Sequence, residues 1–214
     1  MEKRMLILSG PTHEYIDPVR YIANASSGLM GRSLFEEARQ RGWNIDFVSG
    51  PIHTSLLPNI NGNHTYYPVT SAVEMFEAAT SLFSQASVTL FAAAVADYRP
   101  ATFSDAKLSR LDEPDLQLEL VANPDIASLL GQQKRPEQVT IGFALQNTDT
   151  EQHAIRKLNG KNFDGIVINS SHAIGATCAN YQWLTSEEGL ITWGELSKQT
   201  CAKYIIDEVE KRAI

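Results

Sequence analysis

Residues 17–31, which read DPVRYIANASSGLMG, carry a guanidinium at Arg20, then an amide at Asn24, and then a turn with two glycines. Asn24 comes four residues after Arg20, and a purely structural loop has little need of these two groups so close together. Gly28 and Gly31 let backbone approach a ligand or a neighbouring strand, and the N–H groups in the first turn of a helix suit an anion. A G-x-x-G pattern alone is more typical of an ordinary capped helix, but Arg20 and Asn24 favour an anion-binding site.

This segment is predicted to connect a strand to a helix. The apolar run at 5–8 precedes it and is typical of a buried first strand. Apolar residues recur at helical spacing over 32–41, after the glycines. Ser26 and Ser27 are the candidate caps of that helix. A strand, a polar loop and a helix start form the phosphate-binding half of a nucleotide fold.

The rest of the chain alternates between strand and helix patterns. Strands are predicted over 44–49, 65–69, 88–94, 116–121, 139–143 and 165–168, and a β-hairpin over 181–192. Helices are predicted over 71–83, from 123 with Pro124 at the first position, over 151–159 and over 195–212. A mobile loop is predicted over 97–111. The pattern predicts an α/β fold in a single domain, 1–214, with a Rossmann-like, mostly parallel sheet flanked by helices and a C-terminal β-hairpin and helix.

The composition is that of an ordinary globular protein. Of the 214 residues 43% are hydrophobic, and the formal net charge of −7 argues against a nucleic-acid binder. Cys178 and Cys201 form no C-x-x-C pair, so we expect both to be reduced and semi-buried. The sequence has neither a signal-peptide core nor a membrane-length apolar run, and we expect a cytoplasmic protein.

Several familiar catalytic patterns do not occur in the sequence. We find no P-loop, no G-x-G-x-x-G followed by an acidic residue and no G-x-S-x-G nucleophile elbow. The five histidines are scattered, without metal-ligand spacing. These observations argue against a P-loop kinase and weaken the case for a dinucleotide-dependent dehydrogenase.

Polar residues follow several of the predicted strands. In parallel sheets, ligands bind beyond the carboxyl ends of the strands, so several of these polar segments should meet at one cleft. In residues 92–100, AAAVADYRP, the small alanines can pack against a flat ring, and Asp97 could accept hydrogen bonds or help to hold a metal ion. The polar segments are 9–12, 49–50, 96–98, 144–147 and 169–171.

Residues 17–31 resemble the signature I-D-P-V-R-x-I-x-N-x-S-S-G-x-M-G of the phosphopantothenoylcysteine synthetases of coenzyme A biosynthesis. Further patterns of that family, A-A-A-V-A-D-[YW]-R-P, K-I-K-K, N-P-D-I, G-F-A-A-E-T and K-x-x-x-K, have counterparts in the same order at 92–100, 107–110, 123–126, 142–147 and 157–161. The resemblance implies a homodimeric ligase that joins 4′-phosphopantothenate to L-cysteine, with CTP as co-substrate and Mg²⁺. Many bacteria fuse this activity behind a flavin-dependent phosphopantothenoylcysteine decarboxylase, which could be a separate partner here.

The resemblance also implies roles for individual residues. Asn24 would hold an acyl-cytidylate, Arg20 would support the same loop, and Lys107 would contact the triphosphate. The implied nucleotide-binding residues are Gly10, Ser27, Gly28, Ala92, Ala93, Ala94, Asp97, Lys107, Asn123, Pro124, Asp125, Ile126, Phe143, Lys157 and Lys161. No metal ligand is assigned.

Some residues depart from the family patterns and leave alternatives open. Ser109 replaces a lysine of K-I-K-K, and Gln146 and Asn147 replace the last two residues of G-F-A-A-E-T. These changes leave the choice between CTP and ATP open, and they motivate a second hypothesis, a nucleotide-binding sensor or partner protein without ligase activity. A third hypothesis is an NAD(P)-dependent reductase. Taken without the resemblance, Lys107 and Arg110 read as solvated loop charges.

Overall fold

The computed structural model describes residues 3–109, 115–146, 150–170 and 176–213, without the side chains of residues 146, 150 and 170. Arg110 and Asn147 lie outside the described residues. The strands, in chain order, are β1 (Arg4–Ser9), β2 (His13–Tyr15), β3 (Tyr21–Ala23), β4 (Asn44–Ser49), β5 (Thr65–Pro68), β6 (Val88–Phe91), β7 (Tyr98–Pro100), β8 (Leu120–Ala122), β9 (Val139–Gln146), β10 (Gly165–Ser170), β11 (Cys178–Thr185) and β12 (Gly189–Ser197). The helices are α1 (Leu29–Gln40), α2 (Ala72–Phe83), α3 (Ile126–Gly131), α4 (Thr150–Gly160) and α5 (Lys198–Arg212), with a 3₁₀ turn at Thr54–Leu56.

Eight strands form one sheet in the order β12-β11-β10-β9-β6-β1-β4-β5. The six strands from β10 to β5 are parallel, and β11 and β12 add an antiparallel hairpin at one edge. Counted along the chain, the parallel strands have the order 3-2-1-4-5-6, the arrangement of a doubly wound sheet. The predicted Rossmann-like fold with its C-terminal hairpin and helix is therefore confirmed.

Helices cover both faces of the sheet, because its central strands are apolar on both sides. In β1, Met5 and Ile7 pack in the core cluster that also contains residues of α1 and α5. Leu6 and Leu8 point to the opposite face and pack with residues of α2 and α3. A third cluster lies between α4 and the strands β9 and β10. Continuous apolar strands of this kind are typical of parallel sheets buried on both faces.

The prediction that Ser26 or Ser27 caps α1 is wrong. The N-cap residue is Gly28, at φ 72°, and no side chain accepts a hydrogen bond from the helix start. The Ser26 hydroxyl instead accepts a hydrogen bond from the N–H of Gly28, at 3.3 Å. Glycine fits this position because its φ is left-handed, and because a Cβ here would lie 2.8 Å from Cγ2 of Ile52.

The start of α3 also differs from the prediction. Pro124 precedes the helix, and Asp125 is its N-cap, accepting a hydrogen bond from the N–H of Ser128 at 3.1 Å. The carboxylate satisfies one of the free N–H groups at the helix start, so the helix begins at Ile126. The predicted proline at the first helical position is therefore wrong by two residues.

Two short ribbons stand outside the main sheet. Strands β2 and β3 pair antiparallel, and so do β7 and β8. The loop predicted over 97–111 is wrong at its start, because Tyr98–Pro100 pairs with Leu120–Ala122, and the strand predicted from 116 begins only at 120. These strands are too short for a hydrophobic periodicity to show in the sequence.

Other element boundaries differ by a few residues. The predicted strand 88–94 ends at Phe91, after which Ala94 makes an isolated bridge to Pro11. The last helix begins at Lys198 rather than at residue 195, because Ser197 caps it and accepts a hydrogen bond from Thr200. Cys178 is exposed and Cys201 buried, so neither is semi-buried as predicted. In the described parts of the chain, none of the helices combines the length and apolar character needed to cross a bilayer.

Candidate active site

A cleft of about 1090 Å³ opens at the carboxyl ends of the central strands. Leu8 of β1, Phe91 of β6, Ala144 of β9 and Asn169 of β10 are among the residues that line it. The cleft includes the position between β1 and β6 at which the strand order reverses. In doubly wound sheets this reversal is where ligands bind, so the cleft is the candidate active site.

Most of the predicted site residues line this one cleft, although they are spread over nearly 140 positions of the sequence. Arg20, Lys107 and Gly10 are the three that do not line it. The functional roles of these residues stay predictions. The predicted residues that line the cleft are Asn24, Ser27, Gly28, Ala92, Ala93, Ala94, Asp97, Asn123, Pro124, Asp125, Ile126, Phe143, Lys157 and Lys161.

The N-terminus of α1 forms one wall of the cleft. Residues 24–31 line it, and the helix start carries no capping side chain. A close approach between helix and strand holds this end in place: a Cβ on Gly31 would lie 2.0 Å from the hydroxyl oxygen of Ser9 at the end of β1. Unfilled N–H groups at a fixed helix N-terminus favour a negatively charged ligand group.

Gly10 shapes the turn that follows β1 rather than lining the cleft. Its φ is 72°, and a Cβ here would lie 3.0 Å from the carbonyl oxygen of Gly50. Its own carbonyl accepts a hydrogen bond from the N–H of Ala94, at 2.8 Å. Gly10 therefore helps to position the alanine segment that does line the cleft.

Asn123 holds together the backbone around Asp97. Its side-chain N–H donates to the carbonyl of Ala96 at 2.9 Å, and its carbonyl oxygen accepts from Arg99 at 3.1 Å. Its backbone N–H donates to the carbonyl of Asp97. Because both ends of the carboxamide have protein partners, Asn123 acts here as a positioning residue for the Asp97 loop.

Asn24 connects the 17–31 segment to the end of β6. Its side-chain N–H donates to the carbonyl of Val95 at 2.8 Å, and the side chain is exposed. Within the described residues, its carbonyl oxygen has no hydrogen-bond partner. This arrangement fixes the orientation of the carboxamide and leaves its oxygen available to a ligand.

Arg20 and Asp17 form a clamp on the loop that carries Lys107. The Arg20 guanidinium pairs with the buried Asp17 carboxylate and donates to the carbonyl of Leu108 at 2.7 Å. The Leu108 N–H donates to the same carboxylate at 3.2 Å. Burial alone would raise the pKa of Asp17, but the bonds from the Arg20 side chain and from the backbone N–H groups of Val19, Arg20 and Leu108 hold it well below its usual range. The clamp fixes the residue next to Lys107, whose own side chain is exposed.

The cleft carries positive charge in an acidic chain. Its described lining includes two carboxylates, Asp97 and Asp125, and four cationic side chains, Arg156, Lys157, Lys161 and Lys198, whereas the whole chain has a formal charge of −7. A cleft of one prevailing sign attracts ligands of the opposite charge. The lining therefore favours an anionic ligand.

The pKa of Lys157 reports this local accumulation of positive charge. Burial and the neighbouring Lys161 lower the pKa of the Lys157 ammonium, while Asp97 and Asp125 oppose that change. Lys161 also donates to the Asp125 carboxylate at 3.0 Å. An anion between these lysines would relieve their mutual repulsion.

Four polar residues of the lining were missed by the sequence analysis, namely Ser128, His153, Arg156 and Lys198, whereas Asn169 belongs to the polar segment 169–171 that was expected at the cleft. A signal existed on α4, because residues 153, 156, 157 and 160 follow the i, i+3, i+4, i+7 spacing of one helix face. Lys198 lies at the start of the last helix, far from every motif, and no sequence pattern distinguishes it.

The lining offers oxygen ligands for a magnesium ion but no complete metal cage. Where the structure describes the chain, no group of three or more His, Cys, Asp or Glu side chains could hold a metal ion. The Asp97 carboxylate lines the cleft, and no described side chain bonds to it. Such a site fits Mg²⁺, which is typically bound by one or two carboxylates together with phosphate oxygens and water.

Comparison with known protein families shows to which family the chain belongs. The DFP family model, DNA/pantothenate metabolism flavoprotein C-terminal domain, matches residues 1–213. The chain belongs to this family. The coenzyme A biosynthesis bifunctional protein CoaBC of Vibrio vulnificus strain CMCP6 is a relative, 38% identical over 200 residues, which are 92% of this chain and 47% of that protein. The chain thus spans about half the length of the CoaBC proteins it matches.

Two solved structures share the fold of this chain. A crystal structure of the C-terminal domain of CoaBC is 34% identical, with a TM-score of 0.82, and the match covers 98% of this chain and 94% of that one. A Cab2 variant in complex with phosphopantothenate-cysteine shares the fold, with 18% identity, a TM-score of 0.75 and coverage of 99% and 86%. The resemblance to phosphopantothenoylcysteine synthetases noted from the motifs is confirmed at the level of the family.

Proposed function

We propose that this chain is a ligase that joins 4′-phosphopantothenate to L-cysteine, with CTP as the nucleotide. The observation that carries the proposal is the position of Asn24, held by the Val95 carbonyl between an uncapped helix N-terminus and the alanine segment of a cationic cleft. Membership of the DFP family and the likeness to CoaBC proteins support it. The Cab2 complex supports it further, because a protein of this fold holds the product of such a reaction.

The first step activates the carboxyl group of 4′-phosphopantothenate. A carboxylate oxygen attacks the α-phosphorus of CTP, and the bond to the departing pyrophosphate breaks, leaving an acyl-cytidylate. Lys157, Lys161 and the start of α1 line the cleft, and we expect the two ammonium groups and the helix N–H groups to stabilise negative charge on the phosphates. Mg²⁺, when bound with the triphosphate, neutralises part of its charge, and Asp97 is the carboxylate that would hold it.

The second step forms the amide. The amine of cysteine attacks the activated carbonyl carbon, CMP leaves with the electrons of the broken C–O bond, and the amine loses its proton to solvent. Neither step needs a protein nucleophile, so the chain's contribution is positioning and charge stabilisation. Asn24, fixed through Val95, would hold the acyl-cytidylate in place for this attack.

A pyrophosphate-release assay tests the proposal. Purified protein is incubated with 4′-phosphopantothenate, Mg²⁺ and either CTP or ATP, with and without cysteine. We expect pyrophosphate release with CTP and cysteine-dependent formation of CMP. Release with ATP alone would keep the ligase and replace the nucleotide. Binding of nucleotide without any release would favour the sensor hypothesis, which Ser109 and Gln146 motivate.

We also propose a homodimer that forms through an exposed apolar surface, the ribbon face. This face consists of the large apolar side chains on the two ribbons and their flanking loops. Strand β2 contacts β7, and the N–H of Ser104 donates to the carbonyl of Ile16, so the two ribbons lie side by side. A contiguous apolar surface of this kind typically marks an interface. Its residues are Tyr15, Val19, Tyr21, Tyr98, Phe103, Leu116, Leu118 and Leu120.

A phosphopantothenoylcysteine decarboxylase is the proposed functional partner. The product of the ligase is the substrate of that enzyme, and the CoaBC relatives are bifunctional proteins roughly twice as long as this chain. Transfer of the ligase product from this chain to a separate decarboxylase would give the same two reactions that a bifunctional protein carries out.

A further inference from the structure

Lys198 is a buried cation at the cleft that has no place in the mechanism above. It is the first residue of α5, directly after the capping residue Ser197, and only 7% of it is exposed. Its backbone N–H donates to the carbonyl of Thr177, which fixes the start of the helix. Lys198 also belongs to the lining of the cleft.

The ammonium group of Lys198 lacks a protein partner within the described ranges. No hydrogen bond or ion pair from its Nζ to another described residue is present. Fully buried lysines are rare unless they are paired, because an ammonium removed from water without a counter-charge loses its hydration energy. Consistent with this, burial lowers the pKa of Lys198. The apo protein therefore holds this charge in an unfavourable environment.

The amino group nevertheless keeps an opening. In the described part of the chain, the enclosed side-chain polar atoms without a hydrogen bond belong to Ser9, His64, Tyr181 and Trp183, and not to Lys198. Part of the small exposed area of Lys198 is therefore at its amino group. Because the residue borders the cleft, a ligand there can reach this group.

The position of Lys198 complements the other cations of the cleft. Lys157 lies on α4 and Lys161 directly follows it, and this helix covers one face of the sheet. Lys198 comes from α5, which packs with α1 on the opposite face; Arg41, directly after α1, pairs there with Asp207 and Glu210 of α5. Lys198 therefore lies on the same face of the sheet as the uncapped N-terminus of α1, and both line the cleft. Two independent features on this side of the cleft, a buried cation and free helix N–H groups, both suit an anion.

We propose that Lys198 and the N-terminus of α1 together form a phosphate subsite on this side of the cleft. The inference rests on the proposed ligase function and adds a binding residue to it. The phosphate belongs either to the nucleotide or to 4′-phosphopantothenate. Lys198 contributes binding energy as a direct contact, and the relief of its unpaired burial adds to the gain on binding.

The test measures ligand affinity in a charge-removing variant. Lys198→Met keeps the aliphatic chain, and Lys203→Met, an exposed lysine on the same helix, is the matched control. Calorimetric titrations use CTP in one arm and 4′-phosphopantothenate in the other, with inorganic pyrophosphate as a minimal probe. We expect about 10- to 100-fold weaker binding in one arm only for Lys198→Met, the loss of one charge-assisted hydrogen bond. The ligand whose affinity falls is the one whose phosphate contacts Lys198. If that ligand is CTP, the affinity for pyrophosphate should fall as well.

Two further measurements separate binding from a structural role. Without ligand, Lys198→Met should melt at the same temperature as the wild type or higher, because an unpaired buried charge has been removed, while the rise in melting temperature caused by ligand should shrink. Lys198→Arg should recover most of the affinity. Unchanged affinity in both arms, or a loss shared by Lys203→Met, would overturn the subsite. If the wild type binds neither ligand, the proposed ligase function is contradicted, and this outcome differs from failure of the subsite alone, in which the wild type binds and Lys198→Met binds equally well.

Discussion

At the scale of single residues, the buried carboxylate of Asp17 holds part of the site in place, although Asp17 itself does not line the cleft. It accepts hydrogen bonds from Arg20 and from the backbone of the loop that carries Lys107. Arg20 is predicted as a catalytic residue, but its guanidinium forms the hydrogen bonds of this clamp. Its contribution to catalysis is therefore expected to act through the placement of Lys107.

The clamp predicts a specific pH dependence of stability. The pKa of Asp17 is lower in the folded protein than in the unfolded chain, so the ionised carboxylate stabilises the fold above its ordinary pKa of about 3.9 and this contribution is lost as the pH falls below that value. Melting temperatures of Asp17→Asn should lie well below those of the wild type at pH 7, and the difference should begin to shrink below about pH 4 and continue to shrink as the pH approaches the lowered pKa of the folded state. Asp105→Asn, an exposed position in the same loop, is the control. A difference that stays constant with pH would contradict the clamp.

Asn24 predicts a separation of the two chemical steps. Asn24→Asp cannot donate to the Val95 carbonyl and places negative charge beside the acyl-cytidylate. We expect pyrophosphate release to persist while cysteine-dependent product formation falls by about 100-fold, the scale of loss that misplacement of a positioning group can cause. Quenched-flow measurement of pyrophosphate and product distinguishes the steps, with Asn63→Asp in an exposed loop as the control. Full turnover in Asn24→Asp would remove the residue from its proposed role.

How far the sequence predicted individual residues depended on the type of contact. It found the residues that face the cleft wherever they stand in a motif directly after a strand, such as Asp97 and Asn24. It did not find Lys198, because the burial and position of that side chain depend on the packing of α5 against α1. It also assigned ligand contact to Asn123, whose hydrogen bonds are to backbone and to Arg99.

At the scale of elements, the contact between α1 and β1 fixes one wall of the cleft. Gly31 has no room for a side chain: a Cβ would lie 2.0 Å from Ser9 Oγ and 2.5 Å from Ser9 Cβ. Gly160, near the end of α4, has no heavy atom within 4 Å of the same added atom. The two glycines therefore form a matched pair for testing helix placement.

We expect Gly31→Ala to destabilise the fold by about 1–3 kcal/mol through overpacking. Gly160→Ala should be neutral or stabilising, by up to about 1 kcal/mol, because alanine is the better helix former. Urea denaturation followed by circular dichroism measures both. Ser9→Gly removes the two closest atoms, so adding it to Gly31→Ala should restore part of the lost stability. If the double variant is no more stable than Gly31→Ala, the contact is not the cause.

Element boundaries show why the sequence predicted the main sheet but not the ribbons. Long apolar runs such as 139–143 are buried on both faces and are visible without any partner. Strands β7 and β8 have three residues each and exist because Tyr98–Pro100 meets Leu120–Ala122 about 20 residues later. The helix starts at 29 and 126 were shifted because Gly28 and Asp125, rather than Ser27 and Pro124, satisfy the backbone geometry.

At the scale of the whole molecule, charge and apolar surface are separated. The chain is acidic, its cleft is lined by more cations than carboxylates, and the ribbon face groups exposed aromatic and aliphatic side chains on one side. Arg20 and Lys107 do not line the cleft of their own chain. The clamp of Arg20 and Asp17 joins the β2–β3 ribbon to the loop after β7, through the carbonyl of Leu108. A second copy placed on the ribbon face would therefore lie next to the clamp.

Association through the ribbon face is tested with charge substitutions. Val19 and Tyr98 are 58% and 56% exposed, so Val19→Glu/Tyr98→Glu should leave the fold intact while placing like charges across a two-fold interface. We expect the wild type to sediment as a dimer at micromolar concentration and the variant as a monomer, because desolvation of the added carboxylates opposes association. Ile155→Glu/Ile191→Glu, two exposed apolar positions outside this face, should remain dimeric. A monomeric wild type, or equal dissociation of both variants, would exclude the ribbon face as the interface. Retention of nucleotide binding in the monomeric variant, measured by calorimetry, would further show that the nucleotide-binding cleft is complete within one chain.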